Sequence, residues 1–367
     1  MKLNHIYKSI ACGVLLAMTA TSCDLDYNPV DTYSDVTEGV NKTDEKPIFN
    51  SVQDVETSMV TLHKKFRDQQ EHWYVDKLLI GDAHSDNAYA GTTGAEVVPY
   101  ETNSIEGSNS VLKRDWDRFL GDIAVANRII VGCDQLKALS ESERGKYQSQ
   151  AKIFRAMVMF DMVRLWGNFP VITTVGGDIT EDNVEEMYPT YFPPQNTAEE
   201  AYAQIEKDLT EAVENPNTPT NDTSDKSILT KSVARAMLAK VYAEKPLRDY
   251  AKVIKYADEL AADGFDLVED FSDLWAYDTE KKDCRVRNTK EAILEAHFPP
   301  GSGNWCTWMF GRNLSNRGNS KSGFEQACFR LSEYGREEHI TYATEAYYNE
   351  HFQLILKDHA LRELAEI

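Results

Sequence analysis

The stretch AKIFRAMVMFDMVRLWGNFPV, residues 151–171, decides the architecture. Ile153, Ala156, Met157, Phe160, Val163 and Leu165 recur at helical spacing on more than one face, so this helix is expected to be surrounded by other elements rather than lie on a surface. It begins near Ser142, and Gly167 with Pro170 beyond it supplies the stop. Outward from it the same period recurs on both sides. Residues 51–69 place Val52, Val55, Met59, Leu62 and Phe66 on one stripe behind a Ser51 cap. Residues 110–137 do the same with Leu112, Trp116, Phe119, Ile123, Ala126 and Ile130, and Gly132 is read as ending or weakening that helix. Downstream, Thr197 and Glu200 form a capping box ahead of Tyr202, Ile205 and Leu209 in a helix over 197–214. Two more helices are predicted over 228–244 and 247–263, the second ending at Gly264. The expectation is a mainly α fold of antiparallel helix pairs.

Long insertions interrupt the pairs. Residues 81–109 and 168–196 hold most of the local Gly, Pro, Asn and Thr, and residues 299–323 form a glycine-rich loop with Trp305, Trp308 and Phe310. Loops of this length in a compact domain are more often functional than idle. After Gly264 the segments FDLVED, FSDLWAY and EAILEAHF read as short extended or turn pieces.

The chain opens with a basic stretch containing Lys2 and Lys8, then the apolar run SIACGVLLAMTA, which is shorter than the roughly 20 residues a spanning helix needs. Residues 1–22 therefore read as a removable leader. Ala20, Thr21 and Ser22 lead into Cys23 in an order that resembles the lipobox of bacterial lipoproteins, whose cysteine is acylated, although Ala20 stands where Leu is usual. The same residues suit ordinary small-residue cleavage, which would leave Cys23 free. Residues 23–48 are acidic and polar and read as a tether ahead of a domain over 49–367.

The net charge of −21 makes nucleic acid a poor partner, because its phosphates demand clustered Lys and Arg that this chain lacks. Cys133, Cys284, Cys306 and Cys328 lie far apart without CxxC spacing, which disfavours zinc and leaves disulfide pairing open. No metal or other cofactor is expected. There is no HExxH, GxSxG or P-loop pattern, and with 60 acidic residues any carboxylate pair can be nominated for glycoside hydrolysis, so no catalytic residue is assigned.

Residues 151–171 resemble the most recognisable element of the RagB/SusD family: Arg155-Ala156, then Phe160-Asp161, then Leu165-Trp166-Gly167 and Pro170. Other stretches agree in order. Ser85, Asp86 and Asn87 resemble the family's Ser-Asp-Asn turn; WDRFLGDIAVAN (116–127) its Trp and Ile-Ala-Asn helix; EAYAQIEKDLTEA (200–212) its Tyr-Ile-Asp-Leu helix; LTKSVARAMLAKVY (229–242) the Ala-rich helix after it; and Glu291, Ile293 and Leu294 a late strand. The resemblance implies tetratricopeptide-like helix pairs forming an α-α superhelical scaffold with a loop-rich irregular part. It further implies a surface-exposed lipoprotein of the cell outer membrane, anchored through Cys23, which binds glycan and passes it to a SusC-type TonB-dependent transporter. Asp24 and Asp26 fit the export signals of such lipoproteins. Family chains usually continue further, and the part expected after residue 330 is not recognisable, so the chain reads as short. The alternative is a helical-repeat lipoprotein for protein interaction or assembly, without sugar binding.

A sugar offers one CH-rich face and many hydroxyls, so its site needs flat aromatic platforms beside short polar groups. One loop supplies Asp86, Asn87, Tyr89 and Tyr100, and another Asn304, Trp305, Trp308 and Arg312. The competing readings are a self-bonded turn for Ser85 to Asn87 and loop packing for the two tryptophans. His72, Trp73 and Tyr74 read as core at a helix end, and Arg155, Asp161 and Arg164 as ion pairs orienting the central helix, the last two being one turn apart.

Overall fold

The computed structural model describes residues 47–69, 72–73, 76–85, 96–177, 183–244, 246–274, 277–278, 283–284 and 286–296. The chain divides after Pro47, and the unit from Ile48 onward is described by its main helices. They are α1 (Val52–Asp68), α2 (Ser110–Gln135), α3 (Glu141–Trp166), a short α4 (Val184–Tyr191), α5 (Ala198–Glu214), α6 (Lys231–Ala243) and α7 (Tyr250–Ala262). Their starts are chemically marked. Ser51, Ser140 and Thr197 each accept from the backbone N–H three residues on, while Asp54, Glu143 and Glu200 reach back to the cap N–H, so orphan donors at three helix starts are satisfied. Asn109, Thr230 and Asp249 cap α2, α6 and α7 with their side-chain oxygens. Gly167 closes α3 at φ +73°, a conformation most side chains avoid.

Packing follows chain order: α1 on α2, α2 on α3, α3 on α5, α5 on α6, α6 on α7, with α1 and α6 also touching α3. The central placement expected for residues 151–171 is therefore met. Ile153, Phe154, Ala156, Val158, Met159, Phe160 and Met162 of α3 are all buried, where each large apolar side chain contributes about 1.5–3 kcal/mol. Beyond Gly264 the described residues hold only a single 3-10 turn (Phe271–Leu274), turns, and an antiparallel pair of two-residue strands, β1 (Tyr277–Asp278) and β2 (Asp283–Cys284).

Two expectations need correction, and one open point is narrowed. Gly132 does not end α2, which continues to Gln135; its missing side chain instead makes room for the Phe49 ring, which a Cβ would meet at 2.4 Å. Asp161 and Arg164 do not pair with each other: Asp161 binds Lys77 at 2.6 Å and Arg164 binds Glu244 at 2.9 Å, so each ties α3 to a different segment. Cys133 is a free, fully buried thiol, pushed up to about 12 by burial and by the neighbouring Asp134 charge.

Arg155 is buried too. Its Nε and Nη2 donate to the two oxygens of Asp208 on α5 at 2.8 and 2.7 Å, and its Nη1 donates to the Asn127 Oδ1 on α2 at 2.7 Å. Gln204 adds a bond to the same carboxylate at 2.9 Å. A fork–carboxylate pair with its remaining valences filled is the form in which a buried ion pair is tolerated.

Two glycines of α2 give opposite expectations for one substitution. At exposed Gly121 nothing lies within 4 Å of an added Cβ. Gly121→Ala should stabilise by up to about 1 kcal/mol through helix propensity. Gly132→Ala should destabilise by about 1–3 kcal/mol because Phe49 must move. Urea denaturation of both variants checks the pair, and equal signs would contradict the packing at Phe49.

Candidate functional site

Two of the three long loops that the sequence marks as functional, 81–109 and 168–196, arise at the same end of the α2–α3 pair. Trp116, near the start of α2, packs edge-on against Trp166 at the end of α3, with ring centroids 5.2 Å apart, and Phe119 meets Trp166 at 5.7 Å. The chain enters α2 from residues 81–109 and leaves α3 into residues 168–196.

The first insertion is founded on a buried polar nest. His72 and Trp73 are core residues, as expected, and the His72 ring lies 3.9 Å from the Phe119 ring. The imidazole sits between two buried carboxylates, its Nδ1 3.9 Å from Asp115 and its Nε2 3.6 Å from Asp122. Both ring nitrogens and both Asp122 oxygens lack a hydrogen-bond partner, although Lys65 Nζ approaches Asp122 at 3.1 Å. Arg114 binds buried Asp76 and stands 3.8 Å from Asp115. Burial raises the Asp115 carboxyl above the usual carboxylate range, and the hydrogen-bonded, negatively charged Asp76 raises it further, against the pull of Arg114 and Arg118. Such a cluster resembles acid–base machinery in composition. His72, Asp76, Asp115 and Asp122 are buried, however, while Arg114 and Lys65 reach solvent, and the cluster fixes the base of the loop.

Tyr100 belongs to this foundation. It lies on a short helix, Val98–Glu101, with its side chain 0% exposed and its hydroxyl unpartnered. Burial, and then the charges of Asp115 and Asp76, push its phenol up to about 12. The placement of Tyr100 in a sugar platform is corrected here: its ring presents no open face for stacking. Asn109 completes the exit, donating to the Glu96 carbonyl at 2.9 Å while it caps α2. Asp86, Asn87, Tyr89, Asn304, Trp305, Trp308, Arg312 and Cys23 lie outside the described residues.

The second insertion hangs from the Arg155 network. Asn127, held by Arg155, donates through Nδ2 to the carbonyls of Ile172 at 2.9 Å and Thr174 at 3.2 Å. Asn196 clamps the other side, bridging Phe169 and accepting from Val171 N–H at 2.9 Å. The insertion then presents Tyr188, Tyr191 and Phe192, exposed aromatics that the sequence reading passed over although their i, i+3, i+4 spacing was available as a signal. Among the described residues no group of three or more His, Cys, Asp or Glu is placed to hold a metal ion, and no helix is long and apolar enough to cross a membrane.

The SusD-like family model described as "Starch-binding associating with outer membrane" matches residues 32–243. A second model, described as "Negative regulator of genetic competence (MecA)", matches residues 313–364, outside the described residues. A SusD-like protein of Bacteroides ovatus is 25% identical over 309 residues, 81% of this chain and 50% of that protein. The fold is similar to that of surface glycan-binding protein A from Bacteroides fluxus, with TM-score 0.57, 21% identity, and coverage of 74% of this chain and 57% of that one. Surface glycan-binding protein A from Bacteroides thetaiotaomicron, solved in complex with laminarihexaose, aligns at TM-score 0.50 and 16% identity over 61% of this chain and 46% of that one. The chain thus spans about half the length of the relatives it matches.

The nest has a pH signature. Folded Asp115 holds its proton to higher pH than the unfolded chain does, so the folded state binds more protons and stability falls as pH rises above the ordinary carboxylate range. Asp115→Asn should flatten that fall in denaturation free energies measured from pH 4 upward; an unchanged slope would place the titration elsewhere.

Proposed function

The chain belongs to the SusD-like family, and from that premise we propose that it is a non-catalytic glycan-binding protein of the outer membrane. The observation that carries this reading is the family model itself, whose description names starch binding and outer-membrane association and whose match takes in α1 to α6. The laminarihexaose complex of a protein with this fold supports the ligand class. In this reading Cys23 carries the lipid, the tether of residues 23–48 holds the domain off a surface-exposed membrane face, and captured oligosaccharide passes to a SusC-type TonB-dependent transporter.

The ligand site is assigned to the two aromatic loops. Trp305 and Trp308 supply stacking faces, Tyr89 a third, and Asp86, Asn87, Asn304 and Arg312 the hydrogen bonds that orient sugar hydroxyls. Tyr100 acts as a buried pillar at the base of the first loop. No cofactor or metal takes part.

Purified residues 24–367 should be retarded in native gels containing a neutral polysaccharide such as laminarin or starch and should release no reducing sugar from it. Replacing Trp305 and Trp308 with Ala should abolish the retardation, and unchanged retardation would remove both from the site. Released reducing sugar would overturn the non-catalytic assignment, and no retardation by any neutral polysaccharide would overturn glycan binding.

A further inference from the structure

Among the described residues the densest group of large apolar side chains that face water lies on and just after α4, with a smaller pair, Tyr250 and Ile254, on α7. Val184, Tyr188, Tyr191 and Phe192 are four of the ten exposed ones, and all lie within nine consecutive residues on and just after α4. Their spacing puts them on one face of that helix, and the face is turned outward: Tyr188 is 59% exposed, Tyr191 46% and Phe192 66%. Scattered exposed apolar residues carry no meaning, whereas a contiguous group in one loop marks a contact surface.

The group is built. Tyr188 and Phe192 stack on each other, their ring centroids 4.8 Å apart and their planes 28° from parallel. Tyr191 donates its hydroxyl to the Gly177 carbonyl at 2.6 Å, and its ring lies so close to Gly176 that an added Cβ there would stand 3.0 Å away. Pro189 inside α4 restricts the backbone between the rings. The strand of chain that Tyr191 grips begins at Ile172 and Thr174, which Asn127 and Arg155 hold to the core. The rings are therefore fixed to the scaffold with their outer faces in water.

We propose that Tyr188 and Phe192 form a stacking platform for neutral glycans, separate from the two loops assigned above; the inference rests on the glycan-binding reading and extends it to a second site. Flat aromatic faces with a tyrosine hydroxyl at the edge suit a sugar ring, whose CH face meets the electron-rich ring while its hydroxyls reach the polar rim. Charge selects the ligand. Residues 176–200 contain Asp178, Glu181, Asp182, Glu185, Glu186, Glu199 and Glu200 and no Lys or Arg, in a chain of net charge −21. Glycans bearing uronate or sulfate are repelled from such a segment, and uncharged polymers are not.

The test compares the leaderless wild-type chain with Tyr188→Ala/Phe192→Ala and with the conservative Tyr188→Phe/Phe192→Tyr, by isothermal titration with laminarin and with carboxymethylated laminarin. Because these side chains are exposed, circular dichroism should report unchanged helix in every variant. The double Ala variant is expected to bind laminarin roughly five- to tenfold more weakly while the conservative variant matches wild type, and the carboxymethylated polymer should bind wild type more weakly than laminarin. Wild-type binding that the double Ala variant fully retains would overturn the platform and leave glycan binding standing. Absence of wild-type binding to any neutral polysaccharide would overturn both. Retained glycan binding with loss of a co-purifying membrane protein would overturn the platform in favour of a protein contact.

Discussion

The buried guanidinium of Arg155 is the constraint on which the rest of the structure depends. It is 4% exposed, and its partner Asp208 is 1% exposed, so neither charge has water to fall back on. Removing one member of such a pair costs about 3–5 kcal/mol, because the other is left as an uncompensated buried charge. Here the fork does more than join α3 to α5. Its third donor goes to Asn127 on α2, and Asn127 spends its own amide on Ile172 and Thr174. One side chain at the centre of the central helix thereby fixes the mutual placement of three helices and the first turn of a surface insertion. Three of the stretches that resemble the family, the Ile-Ala-Asn helix, the Arg-Ala helix and the Asp-Leu helix, contribute Asn127, Arg155 and Asp208 to this single cluster. Arg155 and Asp208 are each tolerable at a buried position only while the other is present, and Asn127 takes the guanidinium's remaining donor.

The insertions 81–109 and 168–196 are anchored on this core. The Trp116–Trp166 contact makes the two insertions leave the helices at a common end. One is seated on the His72, Asp115 and Asp122 nest and on Tyr100, and the other on the Asn127 carbonyl contacts. The two foundations differ in kind. The Asn127 foundation is saturated with direct hydrogen bonds. The nest leaves buried nitrogen and carboxylate atoms unmatched, and the raised Asp115 carboxyl within it makes its stability respond to pH.

The helices were legible because two independent local signals agree at each of them: the apolar stripe of period 3.6, and a capping residue such as Ser51 or Thr197 that satisfies its first free N–H groups. Tertiary partners were not legible. Spacing on one helix paired Asp161 with Arg164, but each found a better-placed opposite charge on another segment, Lys77 and Glu244, which only the fold brings near. Gly132 misled for the same reason, since its purpose is set by the Phe49 ring, 83 positions away in the chain. Tyr100 was misjudged because loop aromatics are assigned to the surface by composition, whereas this ring is drawn inward by a helical turn at Val98–Glu101. The Tyr188 and Phe192 pair was readable in principle from its spacing, but that it faces outward depends on how α4 is moored at Gly177.

That the Arg155 cluster moors the second insertion can be read directly from amide hydrogen exchange in Asn127→Ala. The substitution removes both bonds from the Asn127 side chain to the carbonyls of Ile172 and Thr174 and one acceptor of Arg155. Protection at residues 171–174, where Val171 N–H is now bonded to Asn196, should fall sharply while α3 and α5 remain protected. Unchanged protection across 171–174 in a folded variant would contradict the account.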